Sequence, residues 1–143
     1  MESLSLFGIL GFFSLEDIKK KRIMTAPLLA AAIAGLLLHV LFLRISIWNV
    51  TGGIAVGAVM YFISVLSGEK IGKGDAMMIA VTGIFLGFWG NIIVLWTAMF
   101  FSLIAGAVAV LFFKKGRHYE LPFIPFMFIS YAMHVAMNTG GVV

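Results

Sequence analysis

Two aspartates stand out in a chain that is poor in acidic residues. Asp17 ends the first apolar run and Asp75 begins the fourth, and the whole sequence holds only six Asp and Glu residues. Two carboxyl groups placed close together cannot both ionise cheaply, so they can share one proton. The ionised member can then take a proton from water while the protonated member donates to a carbonyl oxygen. This division of labour would hydrolyse an amide bond.

Ordinary structural roles also fit these two aspartates. Asp17 precedes a run of basic residues and could pair with Lys20 or Lys21. Asp75 follows a glycine and could simply begin a helix, where a carboxylate suits the unsatisfied N–H groups. Position alone therefore leaves both interpretations open.

No cofactor and no metal ion are predicted. The sequence has no Cys, and its three His residues are scattered without the spacing of a metal site. Nucleic acid is not an expected partner either. Although the sequence pI is about 9.6, the basic residues form short clusters between apolar runs, as in membrane loops, and not a basic stripe with interleaved aromatic residues.

The two aspartates are expected to lie at the ends of membrane helices. Hydrophobic residues make up 62% and charged residues 11% of the 143 residues, so lipid is the expected solvent and a binding partner. A membrane helix needs about 20 apolar residues. We predict one domain over residues 1–143, an all-α polytopic bundle of about six transmembrane helices. The apolar runs are 3–18, 26–43, 47–67, 75–90, 91–113 and 121–138.

The basic residues predict the orientation of this bundle. If six helices alternate, nine of the ten Lys and Arg residues fall on one side, and only Arg44 falls on the other. The positive side faces the cytoplasm, so we expect both termini outside, with Asp17 and Asp75 at the cytoplasmic membrane edge. The GxxxG spacings 53–57 and 83–87 are expected to be close helix contacts.

Three segments together resemble the type IV prepilin peptidase family. Residues 72–75 read GKGD, which is similar to the family's GxGD signature at the start of a membrane helix. Segment 14–23, SLEDIKKKRI, looks like its D-x-K/R-x-x-x-I motif, and segment 121–127, LPFIPFM, like its P-F-x-P-F entrance to the last helix. Met24-Thr25, Met77 and Ile124 depart from the family pattern. Because Met77 stands where a Lys is frequent, Lys73 is the expected substitute cation.

The resemblance implies a short, peptidase-only aspartyl protease with Asp17 and Asp75 as catalytic residues. Its substrate would be a pilin-like precursor whose short basic leader is cut after a Gly, at the cytoplasmic face of the cell membrane of a bacterium or archaeon. The protein itself would be a multi-pass membrane protein. Two other functions remain open: a GxGD protease with other membrane clients, and a non-enzymatic transporter or assembly subunit.

Several further residues are expected to contact such a substrate. The glycine-rich segment would present unpaired backbone to an extended peptide, the prolines would loosen the start of the last helix, and acidic side chains would attract the basic leader. For Glu16 and Glu69, a role as solvated loop charges is the favoured interpretation, because exposed pairs contribute little. The predicted substrate-binding residues are Gly72, Lys73, Gly74, Glu16, Glu69, Pro122 and Pro125.

Overall fold

Five α-helices make up most of the described chain in a computed structural model of the protein. The structure describes residues 2–20, 23–42, 46–68, 72–113 and 121–139. The helices are α1 Glu2–Lys20, α2 Thr25–Phe42, α3 Ile47–Leu66, α4 Lys73–Phe113 and α5 Ile124–Thr139. The predicted all-α fold is confirmed, and four of the six apolar runs each correspond to a separate helix.

Helix α4 contains the other two predicted runs, and its backbone reverses direction at Gly87. This residue has φ 68° and ψ −170°, which is not helical. Residues 79 and 91 would lie about 18 Å apart along a straight helix. Instead, the Asn91 side-chain amide donates a hydrogen bond to the Ile79 carbonyl at 3.0 Å. The first half of α4 (73–86) and its second half (88–113) therefore run side by side.

The predicted break at Gly90-Asn91 was wrong by a few residues, and the reason is a tertiary contact at Gly87. The Phe88 N–H donates to the Asn49 side-chain oxygen on α3 at 2.8 Å, which satisfies a free donor at the start of the second half. A Cβ atom at Gly87 would lie 2.7 Å from Asn49 Nδ2. Positive φ and this close approach both require glycine here.

Helices α3 and α4 touch through their backbones. A Cβ atom added at Gly53 would overlap the backbone of Gly83, and one added at Gly57 would overlap Ala80. We call this contact, Gly53 and Gly57 against Ala80 and Gly83, the glycine seam. The predicted close helix contact is confirmed for both residues of the 53–57 pair and for Gly83, and small residues are what permit it.

A buried polar network reinforces the glycine seam. The fully buried Asn91 side chain donates to the Gly53 carbonyl at 3.0 Å, in addition to Ile79. Its oxygen accepts the Thr82 hydroxyl at 2.8 Å. All hydrogen-bonding groups of the Asn91 side chain are thus used inside the bundle, where unpaired polar groups are costly. This tertiary role explains why Asn91 lies within a helix and does not end one.

Helix α5 closes the bundle by packing against α1 and α4. The Phe7 and Phe128 rings meet edge-to-face with centroids 4.8 Å apart, and the Tyr131 hydroxyl donates to the Ser3 carbonyl at 3.1 Å. The buried Ser130 hydroxyl donates to the Val94 carbonyl at 2.8 Å. Among the described helices, the first and the last are therefore neighbours.

The surface of the bundle is strongly apolar. Ile47–Leu66 and Lys73–Phe112 are long and apolar enough to cross a membrane, and Thr25–Leu41 is a shorter apolar helix. Large hydrophobic side chains point outward, for example Leu4 at 81% and Trp48 at 84% exposure. An apolar exterior of this kind suits lipid. The chain is a helical membrane protein; the six-span topology and its orientation stay predictions.

Candidate active site

Asp17 lies on the buried side of α1, one turn before the end of that helix. Its side chain is 6% exposed, and its Oδ2 accepts a hydrogen bond from the backbone N–H of Ile124 at 3.2 Å. Ile124 is the first residue of α5. A helix N-terminus carries unsatisfied N–H groups and a partial positive charge, so a carboxylate is stabilised there in its ionised form.

The first turn of α5 leaves one backbone donor for Asp17. The N–H groups of Phe126 and Met127 both donate to the Phe123 carbonyl, at 3.0 and 3.3 Å. Pro125 has no N–H, so only the Ile124 N–H remains, and Asp17 accepts it. Pro125 sits within the first helical turn, where proline is tolerated. The P-F-x-P-F segment therefore positions the first aspartate.

Asp75 lies in the first turn of α4, with its carboxylate folded back over Gly72. The Ala76 N–H donates to the Gly72 carbonyl at 3.2 Å, which begins the helix. A Cβ atom at position 72 would lie only 2.8 Å from Asp75 Oδ2. Any side chain at this position would displace the carboxylate, so the first glycine of GxGD makes room for the aspartate.

The second glycine of GxGD contacts the segment that follows Asp17. A Cβ atom at Gly74 would lie 2.7 Å from Ile23 Cδ1 and 3.1 Å from Ile23 Cβ. Ile23 is the last residue of the D-x-K/R-x-x-x-I motif. The two aspartate-bearing segments are thus packed directly on each other, which gives both motifs a common structural purpose.

The two carboxyl groups come together at one end of the bundle. The Asp17 carboxylate is near enough to Asp75 for their charges to repel each other. Asp17 is brought there by α1 and the N-terminus of α5, and Asp75 by the start of α4. We call this region, Asp17 with residues 72–75 and 123–124, the aspartate end. Two carboxyl groups within electrostatic reach of each other are coupled, because the negative charge of one opposes ionisation of the other.

The remaining predicted site residues differ in their burial, and one of them is not described. Lys73 is the first residue of α4 and is half-buried, as are Pro122 and Pro125. Glu69 lies outside the described residues. Glu16 is only 8% exposed, so its interpretation as a solvated loop charge was wrong.

Lys20 approaches Glu16, and Lys21, the other lysine considered as a partner for Asp17, lies outside the described residues. The Lys20 Nζ lies 3.6 Å from Glu16 Oε1. Met77, at the position where the family frequently has Lys, is partly buried and packs against the hydrophobic core. The cation expected from the family pattern is therefore replaced by apolar packing at this position.

Sequence reasoning missed two contributors to the site. The Ile124 N–H holds Asp17, and the Ile23 side chain covers Gly74. Both residues belong to motifs that were found, so a signal was present. What the motifs lacked was any indication of which group contacts which.

Comparison with known protein families gives an independent result. The model of the type IV leader peptidase family matches residues 4–113 of the chain. That match includes both aspartates and the segment 72–75, and it ends before α5. Comparisons with curated proteins and with solved structures returned no significant match. Because the family match covers more than two thirds of the sequence, this chain belongs to the type IV leader peptidase family.

Proposed function

We propose that the protein is an aspartyl endopeptidase in which Asp17 and Asp75 act as one catalytic pair. The observation that carries this proposal is the packing of the two aspartate-bearing segments on each other at Gly74 and Ile23, with the two carboxyl groups within electrostatic reach and Asp17 held by the N-terminus of α5. An ion pair within one helix would need neither convergence nor a long-range backbone donor. Membership of a peptidase family supports the same chemistry.

The surroundings of the two carboxyl groups distinguish their roles. The Ile124 N–H favours ionised Asp17, so Asp17 acts as the general base and Asp75 carries the shared proton. Asp17 takes a proton from water as the water oxygen bonds to the scissile carbonyl carbon. Asp75 gives its proton to the carbonyl oxygen, which produces a tetrahedral diol. On collapse, the proton held by Asp17 passes to the leaving nitrogen, and Asp75 regains its own from the diol.

The substrate we propose is a pilin-like precursor with a short basic leader followed by an apolar helix. Its scissile bond would lie at the membrane surface, and the aspartate end lies at one end of an apolar bundle. With α4 folded back at Gly87, the described residues form six helical segments, each of which would be one crossing. The positive-inside rule then puts the aspartate end at the cytoplasmic face of the cell membrane.

Separate Asp17→Asn and Asp75→Asn variants test the proposal. Each should lower cleavage of a pilin-like precursor by at least about 100-fold, because each removes one proton-transfer group. Asn keeps the shape of the side chain, so melting in detergent should stay close to that of the wild type. Cleavage is measured with purified protein in liposomes, by the mass of the released leader.

Glu2→Gln is the matched control, since it removes one acidic charge at the opposite end of α1. It should cleave at the wild-type rate. Near-normal cleavage by either Asn variant would overturn the catalytic pair. Wild-type protein that cuts an unrelated membrane client but no pilin-like precursor would overturn the substrate.

A further inference from the structure

Glu16 is a buried carboxylate that the proposed catalytic pair does not use. It is 8% exposed, and among the described residues its Oε2 has no hydrogen-bond partner. Its Oε1 lies 3.6 Å from Lys20 Nζ, beyond ordinary hydrogen-bond length. Leaving a buried carboxylate without a donor is costly, and native proteins rarely do so without a reason.

Glu16 is at the level of the catalytic pair but points in another direction. It precedes Asp17, so the two Cα atoms differ by about 1.5 Å in height along α1. Residues 7 and 16 are about 180° apart around a helix, and Phe7 contacts Phe128 of α5. Glu16 therefore faces away from α5, while Asp17 binds the N-terminus of α5. A ligand at Glu16 would lie beside Asp17 without displacing it.

Lys20 is a weakly held cation at this carboxylate. Its side chain is 56% exposed, against 7% for the Glu16 side chain. A lysine on a long, solvated stem gains little from such a pair, because water competes for its ammonium group. Another cation can therefore take its place at small cost, and the buried carboxylate stays in position to receive it.

We infer that Glu16 is the subsite that binds a Lys or Arg side chain of the substrate's basic leader, and that Lys20 fills it when no substrate is bound. This inference rests on the proposed function for its substrate. An incoming ammonium or guanidinium group would reach the carboxylate at Oε1, where Lys20 now lies, and form a charge-assisted hydrogen bond there, because Oε2 is fully enclosed. The enzyme would then recognise the positive charge of the leader through Glu16, which is adjacent in sequence to the proposed general base, Asp17.

Cleavage kinetics with two precursors test this subsite. One precursor has its native basic leader, and in the other each leader Lys and Arg is replaced by Gln. The wild type should prefer the basic leader in kcat/KM, and Glu16→Gln should reduce that preference by about tenfold, mainly through KM. An equal loss for both precursors would show that Glu16 only supports the fold of α1, and the inference would be overturned.

Lys20→Gln provides a second variant that leaves Glu16 intact. Removing the resident cation should lower KM for the basic leader and leave KM for the neutral leader unchanged. If Lys20→Gln raises KM for the basic leader, the lysine helps to bind substrate, and its proposed displacement is wrong. This variant keeps the inference testable even if Glu16→Gln fails to fold.

A binding measurement separates this inference from the proposed function. Fluorescence anisotropy is measured for a labelled basic leader peptide and its Gln analogue on Asp75→Asn protein in nanodiscs. Tighter binding of the basic peptide that disappears on adding Glu16→Gln supports the subsite, even if the wild type cleaves no precursor. Equal affinity for both peptides overturns it, even if cleavage is confirmed.

Discussion

Glycine makes close contacts at both the glycine seam and the aspartate end, but its neighbours differ. At the seam, Gly53 meets the backbone of Gly83, and Gly57 meets the backbone of Ala80. At the aspartate end, Gly72 meets the tip of the Asp75 side chain, and Gly74 meets the Ile23 side chain. The same residue type therefore holds two helices together in one region and makes room for side chains in the other.

The two regions should respond differently to an added atom, because the glycines of the seam contact backbone and those of the aspartate end contact side chains. Backbone in a packed helix cannot move without moving the helix, so the seam resists any added atom. A side-chain tip can rotate at a cost of about 1 kcal/mol. Crowding at the seam should lower the stability of the fold, whereas crowding at the aspartate end should disturb the geometry of the proposed catalytic pair. Alanine substitutions in both regions test this contrast.

Gly53→Ala should have the largest effect, which is a loss of stability. The new methyl group overlaps the Gly83 backbone and forces α3 away from α4. We expect a loss of about 1–3 kcal/mol in the free energy of unfolding, as for other overpacked sites. Gly8→Ala is the matched control, because nothing lies within 4 Å of its added Cβ. Denaturant unfolding in detergent measures both variants, and equal stability would contradict the seam.

Gly72→Ala should have the next largest effect, which is a loss of turnover. Its methyl group would lie 2.8 Å from Asp75 Oδ2, so the carboxylate must move away. A displacement near 1 Å can cost about 100-fold in rate. We expect kcat to fall by about that factor while the free energy of unfolding changes by less than about 0.5 kcal/mol.

Gly8→Ala again supplies the control, since it adds the same methyl group far from the aspartate end. Its kcat should match that of the wild type. If Gly72→Ala instead unfolds the protein while its turnover per folded molecule is normal, the contrast between the two regions is wrong.

The Gly74–Ile23 contact should show the smallest effect, measured as a coupling. Gly74→Ala crowds Ile23, and Ile23→Ala leaves a gap over Gly74. Each change should lower kcat/KM several-fold, and the double variant should recover part of the loss because the new methyl group fills the gap. We expect a coupling energy of about 0.5–3 kcal/mol from the four kcat/KM values. Purely additive losses would show that the two motifs do not act through this contact.

Most of the helices could be predicted because a membrane helix corresponds to a long run of apolar residues in the sequence. Helices α2, α3 and α5 begin and end within a few residues of the predicted runs. The reversal in α4 was misplaced because Gly87, Gly90 and Asn91 all resemble breaks locally. Asn49 and Gly53, on another helix, decide among them by bonding Phe88 and Asn91.

The sequence identifies candidate site residues but not the contacts among them. Asp17, Asp75 and the two glycines were identified from short motifs, and the structure brings the two carboxyl groups together. The Ile124 N–H could not be foreseen, because every residue has a backbone donor and its partner is set by how α5 docks. Burial of Glu16 was missed for the same reason, since a carboxylate beside four basic residues looks solvated in sequence.

The hydrogen bond from Ile124 to Asp17 also has a consequence for biosynthesis. A ribosome produces Asp17 and Asp75 well before residue 124, so a nascent chain contains both acids while the amide that fixes the first of them does not yet exist. In the proposed mechanism, the ability to cleave would thus begin only after α5 has been synthesised and has docked on α1. Growing chains in the translocon would be kept from cutting newly made neighbours.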